Sequence, residues 1–208
     1  MKRLPRIVAA GSLALAVATA MGIDVNRAKA DADRASNSQL KGQYAGTNSG
    51  GCLVSLSGFD QNDRPVDPKT SYSTLWSSEV VFTFDGRGRG KVESNVVDTR
   101  VPGPNTSFVP QVTLSTGGGN FTYSVGPKGT VTVTWTNPSF TILNGLAAGL
   151  TVVVNEVVLE GHFGPNGVTL VKTDGAVETV NVSNGSSYSR ICQRAIVLLS
   201  DGQRFSAE

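Results

Sequence analysis

The chain is short of the groups from which active sites are usually assembled: among its 208 residues are one histidine and two cysteines. Charged residues make up only 16% of it, and no block of like charges occurs, so the electrostatic footprint of a nucleic-acid partner is missing. A single imidazole excludes a histidine-rich metal site, and pairing of the cysteines would exclude a thiolate site as well. Leu, Glu and Lys are too sparse for a helical protein. The apolar run Ile7 to Met21 is shorter than the roughly 17–25 residues a bilayer-spanning helix requires.

That run does fit an export signal. Lys2, Arg3 and Arg6 supply the basic start, and Ala28-Lys29-Ala30 the small residues at a cleavage site. Residues 1–30 are therefore expected to be a cleaved signal peptide, with cleavage after Ala20 as the alternative. Residues 31–39 form a polar lead-in expected to be disordered. Of the 18 basic and 16 acidic residues, Lys2, Arg3, Arg6, Arg27, Lys29 and Asp24 lie in the signal, which leaves 13 and 15 and a net charge of −2. The basic character belongs to the signal. The mature protein is expected in the periplasm or outside the cell, with no transmembrane segment, no nucleic-acid partner and no oligomeric state assigned.

Gly, Thr, Ser, Val and Asn dominate the remainder, which favours strands. Trp76, Val80, Phe82 and Phe84 alternate with polar residues, the period of two of a half-buried strand. Phe121, Tyr123 and Val125, then Val131, Val133 and Trp135, repeat the pattern on either side of Gly126-Pro127-Lys128-Gly129, predicting a hairpin. Further strands are predicted at Lys41 to Ala45, Cys52 to Ser57, Lys91 to Val97, Thr151 to Glu160, Val168 to Thr173, Ala176 to Val182 and Tyr188 to Leu199, with a helical turn at most near Leu143 to Leu150. Short turns such as Asp85-Gly86, Asp174-Gly175 and Asn184-Gly185 separate them.

This pattern predicts one all-β domain over residues 40–205, a single antiparallel up-and-down barrel of about 8–10 strands. Cys52 and Cys192 lie in strands near its two ends, so barrel closure brings them together, and an exported protein oxidises them to a disulfide. A Greek-key sandwich meets the same constraint. Leu40-Lys41-Gly42-Gln43-Tyr44, Val81-Phe82-Thr83-Phe84-Asp85-Gly86-Arg87-Gly88-Arg89-Gly90 and Phe121 to Val133 resemble the hairpin phrases of small secreted bacterial barrels of the lipocalin or allene-oxide-cyclase type. The resemblance implies a calycin-like barrel and a compartment more than an activity. Gly42-x-Tyr44 and Arg194 are similar to the early Gly-x-Trp and late Arg of lipocalins, with Tyr in place of Trp.

No constellation of catalytic residues, metal ligands or cofactor contacts is legible. His162 has no nucleophile and carboxylate arranged around it by spacing. Asp60, Asn62, Asp63 and Asp67 lack the spacing of a calcium loop. Gly86 to Gly90 lies between strand patterns without the helix a phosphate loop needs, and reads as a hairpin turn. Glu156 and Glu160, four apart in a strand, lie roughly 13 Å apart, too far for a glycosidase pair. An outer-membrane barrel is disfavoured by the polar Thr-rich faces.

The aromatic residues make the better case. Trp76, Phe82, Phe84, Tyr123 and Trp135, with Glu156 as an inward polar group, are the candidate residues for binding a small apolar ligand. Phe121 points inward with them, and all these rings have ordinary core packing as the competing reading. The leading expectation is thus a non-enzymatic ligand-binding barrel without a cofactor. A cyclase- or isomerase-like barrel enzyme using Glu156, His162 or Arg194, and a structural module associating through the apolar Gly145 to Gly149 loop, are the alternatives. Intact-mass measurement of protein from an exporting host is expected to show cleavage after Ala30 and the proton loss of a disulfide; a mass that retains residues 1–30 removes the export reading.

Overall fold

The computed structural model describes residues 36–103, 108–172 and 174–200. The expected signal peptide, residues 31–35 of the lead-in and residues 201–205 of the expected domain lie outside the described residues. Asn37–Gln39, also within the lead-in, form one 3-10 turn.

The described chain is all-β and antiparallel. In order, the strands are β1 (Lys41–Ser55), β2 (Ser71–Asp85), β3 (Arg89–Pro102), β4 (Gln111–Val125), β5 (Thr130–Thr136), β6 (Ser139–Ile142), β7 (Thr151–Val154), β8 (Glu156–Gly164), β9 (Gly167–Lys172), β10 (Val177–Val182) and β11 (Ser187–Ser200). Strands β1, β2, β3, β4, β5, β8, β9 and β11 form a closed ring, because β11 returns to pair with β1. At the seam Cys52 faces Cys192, and the two form a disulfide across a sequence separation of 140 residues. No helix among the described residues is long and apolar enough to cross a membrane.

The ring divides lengthwise. Strands β1 to β4 and β11 run through both halves, while β5, β8 and β9 complete the upper half and β6, β7 and β10 the lower. The division arises from extra residues. Phe121 faces Trp135 and Gly118 faces Ser139, so Gly119 and Asn120 of β4 are matched by Thr136, Asn137 and Pro138. Asn137 takes a positive φ of 50° there, a bulge that bends β6 away from β5. The Asn137 N–H still donates to the Asn155 carbonyl at 2.8 Å, so pairing continues through the bend.

The upper half is packed solid. Phe82, Phe84 and Phe121 are buried, with Phe84 and Phe121 ring centroids 5.1 Å apart. Val92, Val133, Leu159, Leu170, Ile196 and Leu198 fill the space between them. The 3-10 turn covers this end: the Tyr123 hydroxyl donates to the Leu40 carbonyl at 2.7 Å, and the Val125 N–H to Asn37 Oδ1 at 2.8 Å. Tight turns close it. Asp85 Oδ1 accepts from the N–H groups of Arg87 and Arg89, so Gly86 to Gly90 is a hairpin turn held by its preceding aspartate.

Of the positions similar to those of lipocalins, Tyr44 and Arg194 do not share an end. Tyr44 faces Ser200 in the packed half, whereas Arg194 faces Gly50 farther down the seam. Replacing Cys52 and Cys192 together by alanine is expected to cost about 2–5 kcal/mol, since the crosslink restrains a long loop in the unfolded chain. Denaturant unfolding of the oxidised protein and the double variant measures the difference, and equal midpoints would show that the seam holds without its crosslink.

Candidate functional site

Below the packed half the lumen changes character. Inward positions that carry Phe, Val and Leu above carry Asn48, Thr74, Ser94, Asp98, Arg100, Thr113, Arg190 and Arg194 here. They surround a cavity of about 180 Å³, with Trp76, Phe140, Ile142, Val152 and Val154 as its apolar wall. Trp135 is the floor: its ring meets Phe82 of the packed half at 6.4 Å and Phe140 of the cavity wall at 5.9 Å.

Glycines make room for both tryptophans. A Cβ on Gly50 would stand 2.5 Å from Trp76 Cζ2 and 2.2 Å from the Gln193 carbonyl, so Trp76 lies against bare backbone. A Cβ on Gly119 would meet Trp135 Nε1 at 3.0 Å.

Charge is concentrated beside the disulfide. Glu178 of β10, with 1% of its side chain exposed, accepts from Arg190 Nε at 2.8 Å and from Arg194 Nη2. Glu178 Oε2 lies 3.6 Å from Cys192 Sγ. The Arg194 guanidinium stacks over the Trp76 ring, 5.5 Å from its centroid. Burial pulls Arg194 down to about 10, with Glu178 pulling the other way, so it stays charged at neutral pH. Nearer the mouth, Arg100 lies 4.6 Å above the Tyr72 ring and 5.4 Å from that of Phe108. Burial, with the neighbouring Tyr188, pushes the Tyr72 phenol up to about 12. Asp98 is raised by burial, against the opposing pull of Arg190, a hydrogen bond from Thr74, and Arg100.

Among the described residues, three buried side-chain atoms find no hydrogen-bond partner: Asn48 Oδ1, Trp135 Nε1 and Arg194 Nε. Such atoms normally cost about 1–3 kcal/mol each unless satisfied, and all three fall in residues of the cavity lining.

Of the residues expected to bind a ligand, the structure brings Trp76 and Trp135 to the cavity. Phe82, Phe84 and Tyr123 lie in the packed half, and Glu156 is exposed at the start of β8. Glu156 faces outward because the chain breaks at Asn155: inward residues are Val152 and Val154 before it and Val157 and Leu159 after it, and a one-residue slip reverses the faces. His162 is exposed on β8, opposite Thr130 and Thr169. The acidic loop uses its carboxylates for turns: Asp60 Oδ1 accepts from the N–H groups of Asn62 and Arg64, and Asp67 caps the 3-10 turn Pro68–Thr70. No cluster of metal-ligating residues occurs among the described residues.

Asn48, Asp98, Arg100, Glu178 and Arg190 were not singled out from sequence. The available signal is parity: Asp98 and Arg100 continue the inward positions Val92, Ser94 and Val96 of β3. Comparison with protein-family models, curated proteins and solved structures found no match.

Asp98 makes stability depend on pH. Its folded carboxyl holds a proton above the ordinary value of 3.8, so the stability it contributes is present at low pH and is lost as pH rises through the folded value. Asp98→Asn cannot ionise and keeps an acceptor for Thr74. Its stability relative to the native protein is expected to rise as pH increases above the ordinary carboxyl value of 3.8, measured by urea unfolding; a gap that stays flat or narrows would contradict this.

Proposed function

We propose that this protein is an exported, lipocalin-like up-and-down β-barrel that binds a small, largely apolar ligand in the lower half of its lumen. The observation that carries the reading is the cavity of about 180 Å³, bordered by both tryptophans and by a group of polar side chains, three of which hold a buried atom without a hydrogen-bond partner. An apolar cavity of about 150 Å³ admits benzene, so the space suits a ligand of about one ring. Trp76, Phe140, Ile142, Val152 and Val154 supply the apolar wall, and a few polar groups fix orientation, the usual division in ligand sites.

Several features support the barrel and its compartment. The ring closes with strands following one another in chain order except where β6, β7 and β10 branch off. A disulfide at the seam suits an oxidising environment. The basic, apolar and small-residue segments of the first thirty residues suit export.

Both tryptophans of the chain line the cavity, so indole fluorescence reports on this site alone. Native mass spectrometry of protein from an exporting host is expected to show a retained small molecule, and its removal to shift the tryptophan emission. A bare protein mass, together with emission unchanged across a set of single-ring aromatic fragments, would overturn the reading.

A further inference from the structure

We propose that two copies of this chain associate through the outer face of β2, β3 and β4 in the lower half of the ring, about a two-fold axis that passes beside Leu114. The face lies outside the lumen and is independent of the ligand. The first ground is an inversion of the usual sheet pattern. In the upper half these strands are apolar inside and polar outside, with Thr83 and Asp85 of β2, Lys91 of β3 and Thr122 and Ser124 of β4 exposed. Below, the same strands turn Thr74, Asp98, Arg100 and Thr113 to the lumen and Leu75, Val97, Val101, Val112 and Leu114 to the outside. An antiparallel sheet with one solvated face keeps its apolar residues on the other, so an outer face that reads apolar is one that is covered. Val97 lies opposite Leu114, and Thr99 lies opposite both Leu75 and Val112, which makes the apolar positions neighbours across the strands.

The second ground is preorganisation. The chain beyond β6 widens the face by one strand: the Leu143 N–H donates to the Leu114 carbonyl at 2.8 Å, Asn144 Oδ1 accepts from the Leu114 N–H at 2.7 Å, and Asn144 Nδ2 donates to the Val112 carbonyl at 3.3 Å. The Gly149 N–H, donating to the Ile142 carbonyl at 2.8 Å, closes the turn that carries the fully exposed Leu146. A surface already held in place loses little freedom on association.

The third ground selects the occupant. A two-fold interface sets a patch against itself, so a charge near its centre would meet its like. The outward positions from Ser73 to Ser77, Val97 to Val101 and Val112 to Thr116 carry none, and no charged residue occurs between Lys128 and Glu156. The basic residues with which a protein recognises an anionic membrane are therefore missing from this face. It is not the belt of a membrane barrel either: it is about five residues tall, some 17 Å against roughly 25 Å for such a belt, and farther round the ring Asn181, Ser189 and Gln193 face outward. The exposed parts of Leu75, Val97, Val101, Val112, Leu114, Leu143 and Leu146 amount to about four whole residues. At about 60–120 Å² for each Val or Leu, in an interface about 65% apolar, these imply about 400–700 Å² per copy. A standard interface takes about 800 Å² from each partner, so the dimer is expected to be reversible and micromolar.

The test is sedimentation equilibrium of the mature chain, with its disulfide intact, from about 1 μM to 1 mM, the range in which such an interface titrates. The mass is expected to rise from one chain to two. A mass of one chain throughout overturns the proposal, and binding of that monomer to phosphatidylcholine vesicles would assign the face to lipid instead. Leu114→Lys sets a charge against its own copy and is expected to weaken association at least about 10-fold, as is Leu114→Glu. Mixing these two variants in equal amounts is expected to restore association, because Lys then faces Glu, a recovery that misfolding cannot produce. Thr122→Lys, outward on β4 in the packed half, is expected to leave the midpoint unchanged. A dimer insensitive to both Leu114 variants, no recovery on mixing, or an equal loss in Thr122→Lys overturns the two-fold arrangement.

Discussion

The pairing of β1 with β11 is the constraint on which the rest of the structure depends. Once the last strand returns to the first, the sheet has an inside, and alternate residues of every strand must enter a lumen of limited width. Side chains there are chosen by volume and by the company they keep, not by solubility. The disulfide fixes the register at one point of that seam, and the unbroken pairing from Tyr44 with Ser200 to Ser55 with Ser189 extends it along both strands.

Within that confinement the two halves take opposite solutions. The upper half fills its volume with rings and branched aliphatic chains, and a 3-10 turn is laid over the end. The lower half places a glutamate, two arginines and two tryptophans around a space left open. Burying Glu178 with Arg190 and Arg194 is not the cheapest filling, because well-packed apolar residues commonly serve stability as well or better. The bulge between β5 and β6 separates the halves and lets the lower strands take their own course.

The strand alternation from Phe121 to Trp135 was legible because apolar and threonine positions take turns without interruption, and the structure pairs those segments as a hairpin. The first half of β4 was not: Gly117, Gly118 and Gly119 carry no side chains to show a period. The predicted strands Lys41 to Ala45 and Cys52 to Ser57 are parts of one, β1, whose middle is masked by Gly46, Gly50 and Gly51. The stretch Thr151 to Glu160 read as one strand, but Asn155 interrupts it and reverses which face is inside. The cavity was half legible. Its tryptophans stand in apolar alternation, whereas Asp98, Arg190 and Glu178 occupy inward positions that a search for apolar periodicity passes over.

One feature of the packed end bears on how the molecule is handled and displayed. Asn37, at the start of the described chain, is bound against Tyr123 and Val125, and Ser200, at its close, faces Tyr44. Both points of departure therefore lie at the capped end, while Tyr72, Arg100 and Phe108 rim the other. A fusion partner, affinity handle or tether joined at either side holds the protein by its base, so that immobilised copies turn their mouths to the solution.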